Sequence, residues 1–80
     1  MIDTNLVGRR IAEARRKAGI TQSALAVRVG VTAQAVSKWE QGRSCPDIAI
    51  LDEIADALGM SLIELLGMDE RDRFSTIHSS

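Results

Sequence analysis

Residues 21–42 read TQSALAVRVGVTAQAVSKWEQG, and this stretch decides the fold. Thr21 opens one short segment and Thr32 opens another, each with a hydroxyl suited to capping a helix N-terminus. The two segments meet at Val29-Gly30-Val31-Thr32, where Gly30 permits a left-handed turn that a side chain would resist. Leu25, Ala26 and Val29 mark the apolar face of the first segment. Ala26 is small enough for the second helix to cross close by. Two helices of under ten residues crossing at a tight turn are therefore predicted here.

A helical wheel for the second segment advances about 100° per residue. With Ala33 at zero, Ser37, Gln41, Gln34 and Lys38 fall at about 40°, 80°, 100° and 140°. Ala35, Trp39 and Val36 fall at about 200°, 240° and 300°. One face is thus short and polar, and the other is apolar. The polar face carries amides, a lysine, a hydroxyl and a methyl, but no carboxylate. Such a face is not repelled by phosphate. Amides match adenine edges, lysine matches guanine and a methyl matches thymine, so the face suits the major groove of duplex DNA.

Working outward, the same punctuation recurs along the chain. Helices are expected at about 5–18, 21–29, 32–41, 47–58 and 61–66. Asn5 or Thr4 is expected to cap the first, Asp47 the fourth and Ser61 the fifth. Glu64, three residues after Ser61, completes a capping box. Glycines at 19, 30, 42, 59 and 67 follow the five segments. Ile50, Leu51, Ile54, Ala55 and Leu58 line one face at helical period. No useful stretch alternates with period two, so an all-α domain over 1–67 is predicted. Residues 68–80, MDERDRFSTIHSS, read as a polar tail or linker, with Phe74 and Ile77 its large apolar groups beyond Met68.

Charge is divided along the chain. The formal total is −1 over 80 residues. Eight basic residues face three acids up to Cys45, for +5. Two basic residues face eight acids from Pro46 onward, for −6. A polyanion partner is expected for the first half. Cys45 is the single cysteine and His78 the single histidine, so neither a disulfide, a zinc site nor an acid/base enzyme is expected, and no cofactor is implied. No apolar run approaches the ~18 residues of a membrane span. The N-terminus MIDTNLVGRR lacks the order of a secretory signal, so a cytoplasmic protein is expected.

Thr21-Gln22, Leu25-Ala26, Gly30-Val31-Thr32, Val36-Ser37-Lys38-Trp39-Glu40 and Gly42 together resemble the phage lambda-type repressor and Cro family of helix-turn-helix DNA-binding domains. Pro46, Leu51, Ile54-Ala55, Leu58-Gly59 and Leu65-Leu66 extend the resemblance over residues 6 to 67. It implies a compact five-helix lambda-repressor-like domain with helices 2 and 3 as the helix-turn-helix. The implied function is transcriptional regulation, as a repressor working as a homodimer on a palindromic double-stranded DNA operator. By position, Ala33, Gln34, Ser37 and Lys38 match base-facing residues. Thr21, Gln41 and Arg43 match phosphate contacts, while Gln22 matches a backbone contact that also braces the third helix. Arg15 and Glu40 match a structural ion pair joining helices 1 and 3. Ala33 departs from members that carry a long amide, which implies a van der Waals contact with a thymine methyl. A protein partner for the acidic C-terminal half, as in an antitoxin, is the alternative reading.

Overall fold

The computed structural model describes residues 3–67. The expected tail, 68–80, including Phe74, Ile77 and His78, lies outside the described residues. Five helices follow one another: α1 Thr4–Lys17, α2 Gln22–Val29, α3 Ala33–Glu40, α4 Ile48–Ala57 and α5 Leu62–Leu65.

Each helix begins where a side-chain oxygen meets its first free N–H groups. For α1 that oxygen belongs to Asp3, not to Asn5 or Thr4. The Asp3 carboxylate accepts from the Asn5 and Leu6 N–H groups at 3.0 and 3.2 Å. A carboxylate also carries the charge favoured at a helix N-terminus, which a hydroxyl or amide lacks. Thr21, Thr32 and Asp47 cap α2, α3 and α4. At α5, Ser61 and Glu64 form the reciprocal capping box at 3.1 and 3.0 Å. That box defines a helix of only four residues, too short to persist on propensity alone.

Burial supplies the rest. Val7, Ile11, Leu25, Val36, Leu51, Ile54 and Leu65 are almost completely buried and come from all five helices. Trp39 closes the cluster from α3. Burying Leu65 contributes about 2 kcal/mol by transfer from water, which anchors α5. α3 packs on both α1 and α2, while α4 bridges α2 to α5.

One contact sets how closely α1 approaches α3. Gly8 lies in the interior of α1, where glycine costs about 1 kcal/mol relative to alanine. A Cβ there would overlap the Trp39 carbonyl oxygen and lie 3.2 Å from the Glu40 carbonyl carbon. The missing side chain lets the α1 backbone rest on the last turn of α3.

Candidate nucleic-acid interface

The turn between α2 and α3 is built by backbone hydrogen bonds. Gly30 takes φ 77° and ψ 34°. Its N–H and that of Val31 both donate to the Ala26 carbonyl at 2.9 Å. The chain then enters α3 through Thr32, whose hydroxyl accepts from the Ala35 N–H at 3.1 Å. Ala26 is buried beneath this crossing, as its size allows.

α3 is held by its inner face and leaves its outer face open. Val36 is fully buried and Trp39 nearly so. Gln34 and Lys38 are exposed, and Ser37 is half-buried. Ala33 is also half-buried and packs against the core cluster, so its methyl sits at the rim of the face. Gln41 Nε2 donates to Ser37 Oγ at 2.9 Å, one turn below, which leaves the Ser37 hydroxyl proton free to donate outward. The wheel places both residues on one face but does not show that they bond.

Just past α3, the Gly42 N–H donates to the Trp39 carbonyl at 3.0 Å and the Arg43 N–H to the Lys38 carbonyl at 2.9 Å. The exposed Arg43 is thereby tied to the end of α3. Asn5, at the start of α1, sits against Gly42 and backs this loop. At the start of α2, exposed Thr21 accepts from the Ala24 N–H at 3.0 Å and keeps its own hydroxyl proton available.

A single carboxylate fixes α3 against its neighbours. Arg15 donates to Glu40 through Nε at 2.6 Å and through Nη2 at 3.1 Å, a two-point contact. Arg15 Nη1 donates to the Ile20 carbonyl at 2.8 Å. Gln22 Nε2 donates to Glu40 Oε1 at 2.9 Å. Glu40 on α3 is therefore bound to α1 and to the first residue of α2. The side chains of Arg15 and Glu40 are 12% and 6% exposed. Burial works against the Glu40 carboxylate. Hydrogen bonds from Arg15 and then Gln22, with the charges of Arg15 and Arg16, outweigh it and hold the carboxyl below its ordinary value. The Glu40 hydrogen bond in turn raises Arg15 against its own desolvation.

Lys38 on α3 and Arg43 just past it are exposed cations, while Gln22 is engaged with Glu40. One support of α3 has a faint sequence signal. Gly8 stands inside a helical pattern without a turn to justify it, which marks a close backbone approach. The Ile20 carbonyl that receives Arg15 has no side-chain signal at all.

Comparison with known proteins agrees with this geometry. The family model described as Helix-turn-helix matches residues 11–65. An uncharacterised HTH-type transcriptional regulator, y4dJ, of Sinorhizobium fredii is 39% identical over 71 residues, 89% of this chain and 92% of its own length. The P22 c2 repressor, solved in complex with a synthetic operator, superposes with a TM-score of 0.76 at 39% identity, covering 82% of this chain and 100% of that one. SinR, a master regulator for biofilm formation solved in complex with DNA, gives a TM-score of 0.71 at 31% identity, covering 75% of this chain and 97% of that one.

Proposed function

The chain belongs to the helix-turn-helix family of DNA-binding transcriptional regulators, and from that premise we propose that it is a cytoplasmic repressor that reads a palindromic operator as a homodimer. The carrying observation is the outer face of α3, which is polar and free of carboxylates while Val36 and Trp39 bury the opposite side and Glu40 is held by Arg15 at the seam. In this reading α3 lies in the major groove. Gln34 pairs with an adenine edge and Lys38 with a guanine. Ser37 donates to a base acceptor, and Ala33 meets a thymine methyl at the rim. Thr21, Gln41 and Arg43 hold phosphates, and Gln22 both touches the backbone and braces Glu40. A dimer places two α3 helices about 34 Å apart, one turn of B-DNA.

Gel-shift titration at rising salt tests the proposal. Affinity for duplex DNA is expected to fall steeply with salt, because each neutralised phosphate releases counterions. Salt-independent affinity, or no binding to any duplex, refutes it. The exposed acids Asp52, Glu53 and Asp56 on α4 favour a second reading, a protein partner for the acidic half. A partner that stays bound after nuclease treatment, with no operator selected, supports that reading instead.

A further inference from the structure

Ser37, which meets a base in the proposed function, and Gln41, which holds a phosphate, are joined in the structure. The Gln41 N–H donates to the Ser37 carbonyl at 3.1 Å, and Gln41 Nε2 donates to Ser37 Oγ at 2.9 Å. A serine inside a helix commonly turns its hydroxyl back to a carbonyl one turn earlier, here that of Ala33. Among the described residues, the Ser37 hydroxyl bonds to Gln41 instead.

We propose that Gln41 is a positioning residue for base readout. By filling one acceptor site of Ser37 Oγ, it turns the hydroxyl outward as a donor and disfavours cytosine at the base edge that Ser37 faces. The proposal rests on the reading of α3 as the helix in the major groove.

A serine hydroxyl left to itself is a rotor, with one donor and two acceptor sites, and it suits any base edge. Guanine, adenine and thymine each offer an acceptor in the major groove, whereas cytosine offers its N4 amine donor alone. With one lone pair taken by Gln41, the free proton matches the first three bases. A cytosine amine would need the second lone pair turned toward it, which takes the proton off the groove face and leaves two N–H groups crowded on one oxygen.

Gln41 is held where it can act in this way. It is the C-cap of α3, at φ −86° and ψ −3°. Gly42 follows at φ 74° with Asn5 packed against it. The orientation of the amide follows from its two tasks. Nε2 carries two N–H groups, so one engages Ser37 while the other remains for a phosphate. The reverse orientation would set Oε1 against the phosphate's own oxygens.

The test is selection of duplexes from a random pool at low salt with the natural chain, Gln41→Glu, Ser37→Ala and the double variant. A carboxylate has acceptors only, so Gln41→Glu draws the Ser37 proton inward and leaves lone pairs facing the groove. Overall affinity should fall, because a carboxylate replaces a phosphate contact. At one position in each half-site, the natural chain should deplete cytosine about 3- to 10-fold, the worth of one hydrogen bond, and Gln41→Glu should restore it. In the Ser37→Ala background the same change should leave the preference at that position alone. Gln41→Glu that weakens all sequences evenly overturns the proposal, since Gln41 is then a phosphate contact only. A shift that persists without the Ser37 hydroxyl overturns it too. Both of these outcomes leave the α3 reading standing, whereas a natural chain without sequence preference overturns that reading and this proposal together.

Discussion

Glu40→Ala should destabilise the domain by about 3 kcal/mol. The substitution removes the acceptor for three donated bonds, two from Arg15 and one from Gln22. Arg15 keeps its bond to the Ile20 carbonyl, but its charge is left without a counterion in a site where only 12% of the side chain meets water. Breaking a buried pair from one side costs about 3–5 kcal/mol. The residual exposure of Arg15 places this case at the lower end. An 80-residue domain has about 4–12 kcal/mol in all, so the loss is a large share. It corresponds to a fall in Tm of about 12–24 °C. Urea denaturation followed by circular dichroism measures the change, with Trp39 fluorescence as a second probe beside the site. Arg15→Ala should cost a similar amount, because Glu40 is then buried with Gln22 alone. The double variant should cost far less than the two combined, with a coupling of about 2 kcal/mol. The carboxyl also gives the effect a pH signature. Its folded pKa lies below the ordinary 4.5, so the contribution is present above that value and is lost as pH falls through the lowered folded value. Glu40→Gln should therefore flatten the acid limb of the stability profile. A cost below about 0.5 kcal/mol for Glu40→Ala, the range of ordinary surface changes, refutes the clamp, as does strict additivity with Arg15→Ala.

Gly8→Ala sets two effects against each other. Helix propensity favours alanine by about 1 kcal/mol, but the new Cβ overlaps the Trp39 carbonyl of α3. Backbone cannot rotate away as a side chain can, so a net loss of about 2 kcal/mol is expected in the same denaturation assay. Ser61→Ala breaks one half of the α5 capping box and should cost about 1 kcal/mol, read from the urea midpoint with an unchanged slope. Arg43→Ala should weaken binding alike across duplex sequences. It should also reduce the slope of log affinity against log salt by about 1, measured by gel shift.

The helices were legible because each start needs a particular donor or acceptor and each end a particular backbone freedom. Thr21, Thr32, Asp47 and Ser61 declare themselves through that chemistry. Asp3 was obscured by Thr4 and Asn5, which are equally acceptable caps by residue type. The hydrogen bonds, together with the charge of the carboxylate, distinguish Asp3 from the other two. The inner face of α3 could be read from its period, since Val36 and Trp39 are spaced to be buried together. Its support was less legible. Arg15 and Glu40 lie 25 positions apart, so their pairing rests on the resemblance and not on periodicity. The bond from Arg15 to the Ile20 carbonyl involves backbone, which every residue possesses, and no composition can announce it. The Gln41 bond to Ser37 is local, but exposed amides have many alternatives in water.

In the proposed function α3 reads base edges from its exposed face, with Lys38 among its reading residues. Selection of bound duplexes from a random pool, run side by side for the natural chain and Lys38→Ala, tests it most directly. A symmetric consensus is expected for the natural chain, with half-site centres about one helical turn apart. Lys38→Ala should lose preference at one guanine position in each half-site, worth about 1–3 kcal/mol, and keep the others. An unchanged consensus for Lys38→Ala, or a pool that shows no sequence preference for the natural chain, contradicts it.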